Sequence, residues 1–490
     1  MATALTSATP RTRRWFMEQN GFTAIILAVA SFSFVEWVLG RDGGFLPSIG
    51  WEVNQIMFLA YLSAIFFFFL GLGYFNYPIS WLLGNQPSRE YAEYEYGIVG
   101  SPVKKYFRLC LDHKVIGIQY FVAVIGLFMV GGFNAMLIRT ELLTPHAKFV
   151  DPGVYLTHVG EHSVMMLLVT SSAIIGPFGN YFVPLMIGAK RMAFPRIEAL
   201  SFWLFLLSAF VLLSGYLFGG FPTGWTGYAP LADEAHAGMN SYIVTFALVG
   251  ASMSVSGINL IATVLMMRAP GMTWSRMTVT VWSVIVGSIL AWLAAPILIA
   301  VLTMVAIDRS FLTGFFIPLQ GGSAFLYENI FWTFGHPEVY ILAVPAMGIV
   351  LDIVAVFARR AIWGYTAAVT SMFGIGLLSW FVWQHHLFVS GLTPGLRPFF
   401  MFTTEMISFP TGIIFLAGLG TLWGARIQFT TAMLFALAWF PNFLLGGFSG
   451  IFLSDVPADV QLHGSYFVQA HFHFVLMGAT FFAVFAAAYY

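Results

Sequence analysis

Charge is scarce in this sequence: 9% of its 490 residues are Asp, Glu, Lys or Arg, against roughly 25% in a soluble domain. A chain so poor in charge and 59% hydrophobic cannot cover a water-facing surface, which excludes an ordinary soluble enzyme. Cys110 is the one cysteine, so neither a disulfide framework nor a cysteine-held cluster can form within the chain. No stretch reads as a soluble domain, and no internal repeat is obvious. Formal net charge is zero, so the total says nothing about partners, and no nucleic acid is expected among them.

What is abundant is long apolar runs. Twelve reach about 18 residues or more, the length that spans a bilayer as helix. They lie near 22–39, 56–83, 114–138, 155–187, 199–219, 241–267, 278–306, 326–358, 365–389, 399–424, 430–453 and 465–490. The expected fold is an all-α, polytopic membrane bundle of about twelve transmembrane helices. With the N-terminus placed inside, sixteen Lys and Arg fall in inside segments and five outside (Arg41, Arg139, Lys148, Arg309 and Arg397). That bias puts both termini in the cytoplasm. The expected location is the cytoplasmic (inner) membrane of a bacterium. The first span lacks a clear cleavage site and reads as a retained helix. The polar stretch at 84–113 is read as an inside loop with a surface helix. The outside loops at 139–154, 220–240, 307–325 and 454–464 are long enough to form a cap.

Eleven histidines are present, and seven fall within expected spans. His471 and His473, in Q-A-H-F-H-F, are two residues apart, which turns a helical side chain through roughly 200°. They leave opposite sides of one helix, so each suits a different metal. With chain direction included, His162, His336, His385, His386, His471 and His473 all fall in the outer half of the bilayer. Ionisable groups inside a membrane are costly and mark a pathway or cofactor, and imidazole is the usual ligand for iron and copper there. In F-W-T-F-G-H-P-E-V-Y, Pro337 loosens the helix, and His336 and Tyr340 are i, i+4 neighbours. A metal on His336 would have a phenol in reach. Glu338 points elsewhere, either as a hydrogen-bonded core acid or as a proton relay.

These motifs resemble the catalytic subunit (subunit I) of the haem–copper oxidase superfamily. The resemblance runs from L-D-H-K-V-I-G at 111–117 to the end, through G-N-Y-F-V-P-L-M-I-G-A, M-A-F-P-R, P-T-G-W-T-G-Y-A-P-L, G-H-P-E-V-Y and W-Q-H-H-L-F-V-S-G-L. It implies residues 1–110 as two extra transmembrane helices with a cytoplasmic loop, and 111–490 as a catalytic core equivalent to the family's first ten helices. It implies two haems and one copper ion. His162 and His473 would ligate the low-spin haem iron, with His158, one turn earlier, as a rival to His162. His471 would ligate the high-spin haem iron, and His336, His385 and His386 the copper. Tyr340 would be the phenol cross-linked to His336, and Glu338 the proton donor at the branch point. Arg139 and Trp225 would lie by the low-spin haem, Trp332 near the copper, and His463 and Tyr466 near the propionates. Implied partners are further membrane subunits, including an electron-accepting subunit II, with cytochrome c, a cupredoxin or a quinol as donor.

The sequence departs from that pattern where protons should enter. Lys190 and Arg191 occupy the loop where many members carry an aspartate, Ile414 stands where a channel lysine is usual, and Gly464 replaces the acid after His463. The family's last two helices have no counterpart expected here. Glu161 and Glu405 are carboxylates near the outer ends of helices that should approach the site, and either form an outer proton path or simply bond to loops. The leading reading is reduction of O2 to water, because Tyr340 offers a further electron and proton. Nitric oxide reduction is the alternative within the superfamily. A transporter whose histidines form a proton wire is the reading from a different class.

Overall fold

A computed structural model describes residues 19–40, 52–85, 89–98, 101–146 and 148–490. Among them there are helices and turns and no strand. The chain divides into two compact units, 1–116 and 117–490.

The first unit is built on α1 (Gly21–Leu39) and α2 (Val53–Leu72). Asn20 starts α1 by accepting from the backbone N–H groups of Phe22 and Thr23, which satisfies donors that the first turn leaves free. The two helices touch closely at Gly71, where a Cβ would stand 2.8 Å from Ala24 Cα. Gly73 then ends α2 at φ +81°, a left-handed conformation suited to glycine. The expected inside loop contains a short helix, Arg89–Glu95. Beyond it, Arg108 lies 3.4 Å over the Tyr94 ring and donates to the Tyr94 carbonyl at 2.8 Å.

The second unit carries the remaining main helices. They are α3 (His113–Glu141, which enters the unit at Gly117), α4 (Pro152–Ala173), α5 (Pro195–Ser214), α6 (Met239–Met266), α7 (Val279–Phe311) and α8 (Ala324–Ala358). Then come α9 (Tyr365–Leu378), α10 (Arg397–Met406, continued by Ser408–Leu422), α11 (Thr431–Ser454) and α12, which begins at Tyr466–Phe472. Among the described residues, eleven helical segments are long and apolar enough to cross a membrane. The chain is an integral membrane protein. α4, which carries His158, Glu161 and His162, occupies the expected span 155–187 and is the one not counted among the eleven. α8 is the central helix, with 78% of its apolar stretch inside the protein, against 17% for α3.

Three expected helices are not regular. The 155–187 run gives α4, a π-helical turn Ile175–Gly179 at Pro177, and a short helix Asn180–Met186; proline lacks the N–H that a regular helix needs. The 365–389 run ends in two 3₁₀ turns, Ser379–Phe381 and Trp383–Leu387. α12 changes to π-helix over His473–Phe481 before Phe482–Tyr489. Such bulges concentrate at functional sites.

The loop between α5 and α6 is clamped by Arg309 at the end of α7. Its guanidinium donates to the carbonyls of Ala232, Asp233, Ala235 and His236 and to Asn240 Oδ1. Asp233 in that loop has both carboxylate oxygens enclosed without a partner. Burial, then the nearby Asp308 charge, pushes its pKa up to about 6, against the pull of Arg309. The folded loop therefore holds this proton better than the unfolded chain. The stabilisation is complete below the ordinary value of 3.8 and lost as pH rises through about 6. Asp233→Asn is expected to flatten the pH dependence of thermal stability between those values. An unchanged melting profile would assign that dependence to other groups.

Candidate metal centre

Three imidazoles converge where α8 meets the 3₁₀ turn after α9. The ligating nitrogens of His336, His385 and His386 all lie within 4.8 Å of one another. His336 Nδ1 is 3.3 Å from His386 Nε2, and the His385 and His386 rings are 4.4 Å apart. Both adjacent histidines lie in the 3₁₀ turn Trp383–Leu387, where the chain has left the regular α-helix. Thr404 on α10 orients His385. Its hydroxyl donates to the Phe400 carbonyl at 2.5 Å and sits 3.1 Å from His385 Nδ1. It therefore accepts the Nδ1 proton and leaves Nε2 with a free lone pair. Trp332 stacks on His386 at 3.6 Å and 9°, and its indole N–H is held by Tyr228. Bare nitrogen lone pairs this close repel each other in a buried site, and a cation among them removes the repulsion. The donor set fits copper.

Tyr340 follows on the same face of α8, its ring centroid 4.8 Å from that of His336, as the i, i+4 spacing required. His336 Nε2 is buried without a hydrogen-bond partner, as is Glu338 Oε2.

On α12 the two-residue step separates the imidazoles as expected. His473 faces His162 on α4, with ring centroids 6.4 Å apart and planes within 6° of parallel. Metal–imidazole bonds of about 2 Å on either side of one ion, plus the distance of each ring centre from its nitrogen, give about 6 Å. This pair thus fits an iron with two axial imidazoles. His162 Nδ1 lies 2.9 Å from the Gly131 carbonyl and His473 Nδ1 lies 2.7 Å from that of Gln469. A carbonyl only accepts, so both Nδ1 atoms carry the proton and both Nε2 atoms are free to ligate. The rival His158 is engaged otherwise, with its Nδ1 2.9 Å from both Asn134 Oδ1 and Tyr216 OH.

His471 turns toward α11, where its Nδ1 meets the Gly446 carbonyl at 2.8 Å and Ser449 Oγ at 3.2 Å. Gly450, one turn on, makes room: a Cβ there would stand 2.9 Å from His471 Cε1. Gly446 and Gly450 form the small-xxx-small spacing that lets membrane helices approach. Gly450→Ala is expected to displace the His471 ring and reduce activity about tenfold, the lower range for disturbed ligand orientation. Unchanged turnover and unchanged spectra would show that the ring tolerates the methyl.

The other expected residues are spread around this core. Trp225 packs against Phe331 and Trp332 at 5.5 and 5.4 Å. His463 Nδ1 pairs with Asp459 Oδ2 at 3.0 Å, so a carboxylate four residues earlier serves the histidine that Gly464 follows. Tyr466 opens α12 and is exposed, as is Arg139 near the end of α3. Glu161 is wholly buried with both oxygens unpartnered. Glu405 is exposed, whereas its neighbour Thr404 reaches His385. Ile414 is buried. Thr404 and Tyr228, which hold site residues, carried no signal in the histidine pattern.

A family model described as cytochrome c and quinol oxidase polypeptide I matches residues 115–490. The chain belongs to that family. It is a haem–copper oxidase subunit and an oxidoreductase. It is similar to cytochrome c oxidase subunit 1 of Thermostichus vulcanus, 41% identical over 387 residues, or 79% of this chain and 70% of that protein. It is also similar to cytochrome c oxidase subunit 1 of Synechocystis sp., 39% identical over 411 residues, or 84% of this chain and 72% of that protein. In fold it resembles a heme-copper terminal oxidase dimer solved by cryo-EM, with TM-score 0.60 and 18% identity, covering 77% of this chain and 67% of that one.

Proposed function

We propose that this chain is the catalytic subunit of a respiratory terminal oxidase that reduces O2 to water, O2 + 4 H⁺ + 4 e⁻ → 2 H2O. The observation that carries the reading is the convergence of His336, His385 and His386 with the Tyr340 ring against His336. In it, His162 and His473 hold a low-spin haem, His471 holds a high-spin haem, and His336, His385 and His386 hold one copper. When bound, these groups supply the one-electron steps and the site where O2 is reduced.

The chain's own residues orient and protonate. The Gly131, Gly446 and Gln469 carbonyls and Thr404 fix the imidazole tautomers. Tyr340 supplies a proton and an electron at its phenol oxygen, and the unpartnered His336 Nε2 is the atom available for the cross-link. Glu338 holds a proton at its unpartnered oxygen for transfer inward. Trp332 braces His386, Trp225 and Arg139 flank the low-spin haem, and His463 with Tyr466 lies near propionates. Glu161 and Glu405 belong to an outer proton route. The protein sits in a bacterial inner membrane with both termini in the cytoplasm. It works beside an electron-accepting subunit supplied by cytochrome c, a cupredoxin or a quinol.

Nitric oxide reduction requires only two electrons and no phenol, so Tyr340 favours O2. The purified complex should show bands of both haems and consume O2. Rapid NO turnover without O2 uptake would overturn the reading, and absence of haem and copper would overturn any redox role.

A further inference from the structure

One buried acid stands outside the metal centre. Glu198, one turn into α5, is fully buried, at the end of the helix that follows Lys190 and Arg191. A carboxyl in a membrane interior is costly unless compensated, and this one is surrounded by donors. Asn180 Nδ2 and Ser256 Oγ donate to its Oε1 at 2.8 and 2.9 Å, and Asn259 Nδ2 donates to its Oε2 at 2.7 Å. Ser201 Oγ lies 3.2 Å from Oε1 and 2.9 Å from the Tyr120 hydroxyl.

These partners are ordered along the membrane. Ser252, Ser256, Asn259 and Thr263 follow a four-, three- and four-residue spacing on α6, one polar stripe on an apolar helix. Thr263 and Asn259 accept from the backbone of Ala193 and Phe194 in the loop before α5. Ser252 and Ser256, about 4–10 Å further along the axis from Asn259, line a cavity of about 20 Å³ together with Tyr120, Ser172 and Ile341. That volume admits one water, and hydroxyls are there to bond it. Ile341 directly follows Tyr340 and is three residues from Glu338, so the cavity touches α8 beside the metal centre.

We propose that Glu198 is the inside proton carrier of this enzyme, passing protons through Ser256 and the cavity water toward Glu338 and Tyr340. The carboxyl gives its proton to the cavity water while that water releases one on the α8 side. The carboxylate, held by its four donors, takes a proton back from the inside face, so no net charge is left behind. Two connections reach the cavity, Ser256 directly and Tyr120 through Ser201. The basic residues Lys190 and Arg191 stay exposed at the surface and do not enter the stripe.

This rests on the oxidase reading, and one experiment separates the two. Wild type, Glu198→Gln and Glu198→Asp are purified as the complex, reconstituted into vesicles with a pH dye, and followed for haem spectra, O2 consumption and proton uptake from the inside face. Glu198→Gln is expected to keep both haem bands and haem reduction while uptake and turnover fall at least tenfold, with partial recovery in Glu198→Asp. A purely structural acid would instead lower haem content and melting temperature together. If Glu198→Gln does not assemble, the Ser256→Ala/Tyr120→Phe double variant, which keeps the acid and its amide partners, must slow uptake about tenfold. Wild-type uptake in either assembled variant overturns the relay alone. A wild type that consumes no O2 overturns the oxidase reading and the relay with it.

Discussion

Replacing His336 by asparagine is expected to end O2 turnover while the low-spin haem bands stay in place. His336 is buried on the central helix and its Nδ1 is 3.3 Å from His386 Nε2. Asparagine is shorter and leaves the cluster with two imidazoles. Losing one of three nitrogens should cost more than the 10–100-fold typical of a disturbed outer contact. Turnover should fall roughly a thousandfold or more, about 4 kcal/mol on the barrier. His162 and His473 are held by α3 and by α12 itself, not by His336, so the low-spin spectrum should be unaffected. Copper analysis and optical spectra of one preparation check both halves. Full copper content with normal turnover would remove His336 from the site.

Tyr340→Phe isolates chemistry from structure. Phenylalanine keeps the ring that packs 4.8 Å from His336 and deletes only the hydroxyl. Both haems and the copper should remain, yet turnover should fall about 10²–10⁴-fold, the range for loss of a positioned proton donor. Reduction of the haems by an artificial donor should proceed at the normal rate, because the phenol is needed only after O2 binds. A variant that reduces O2 at the wild-type rate would show that the phenol takes no part. Retained NO turnover alongside lost O2 turnover would give the protein the two-electron reaction.

Much of this site was legible from composition and helical geometry. Membrane helices are written in runs of apolar residues, so the helix that carries each histidine followed from locating those runs. The opposed directions of His471 and His473 and the approach of Tyr340 to His336 needed only the helical period. Local departures from that period were harder to read. The 3₁₀ turn at His385 and His386 and the π stretch after Phe472 depend on contacts with neighbouring helices, which have no one-dimensional signature. The choice between His158 and His162 was open for the same reason. Both lie on one face of α4, and Asn134 and Tyr216, distant in sequence, engage the first. Glu198 was readable as a lone acid one turn into a membrane helix, but only its four donors and the cavity beyond give it a role.

The supports of the imidazoles have an evolutionary consequence. His162, His471 and His473 each rest a ring proton on a main-chain oxygen, from Gly131, Gly446 and Gln469. A main-chain oxygen is not deleted by a change of its own side chain, so these anchors are lost only where added bulk parts the helices, as at Gly446, where a Cβ would stand 2.5 Å from the Val475 side chain. Bulk at Gly450 acts on the His471 ring directly, where a Cβ would stand 2.9 Å from Cε1. His385 is anchored differently: its contact is the hydroxyl of Thr404, which a single codon change can delete. Variation among relatives should therefore be tolerated at Gln469, whose carbonyl holds His473, and resisted at Thr404 beside His385 and at Gly446 and Gly450 beside His471.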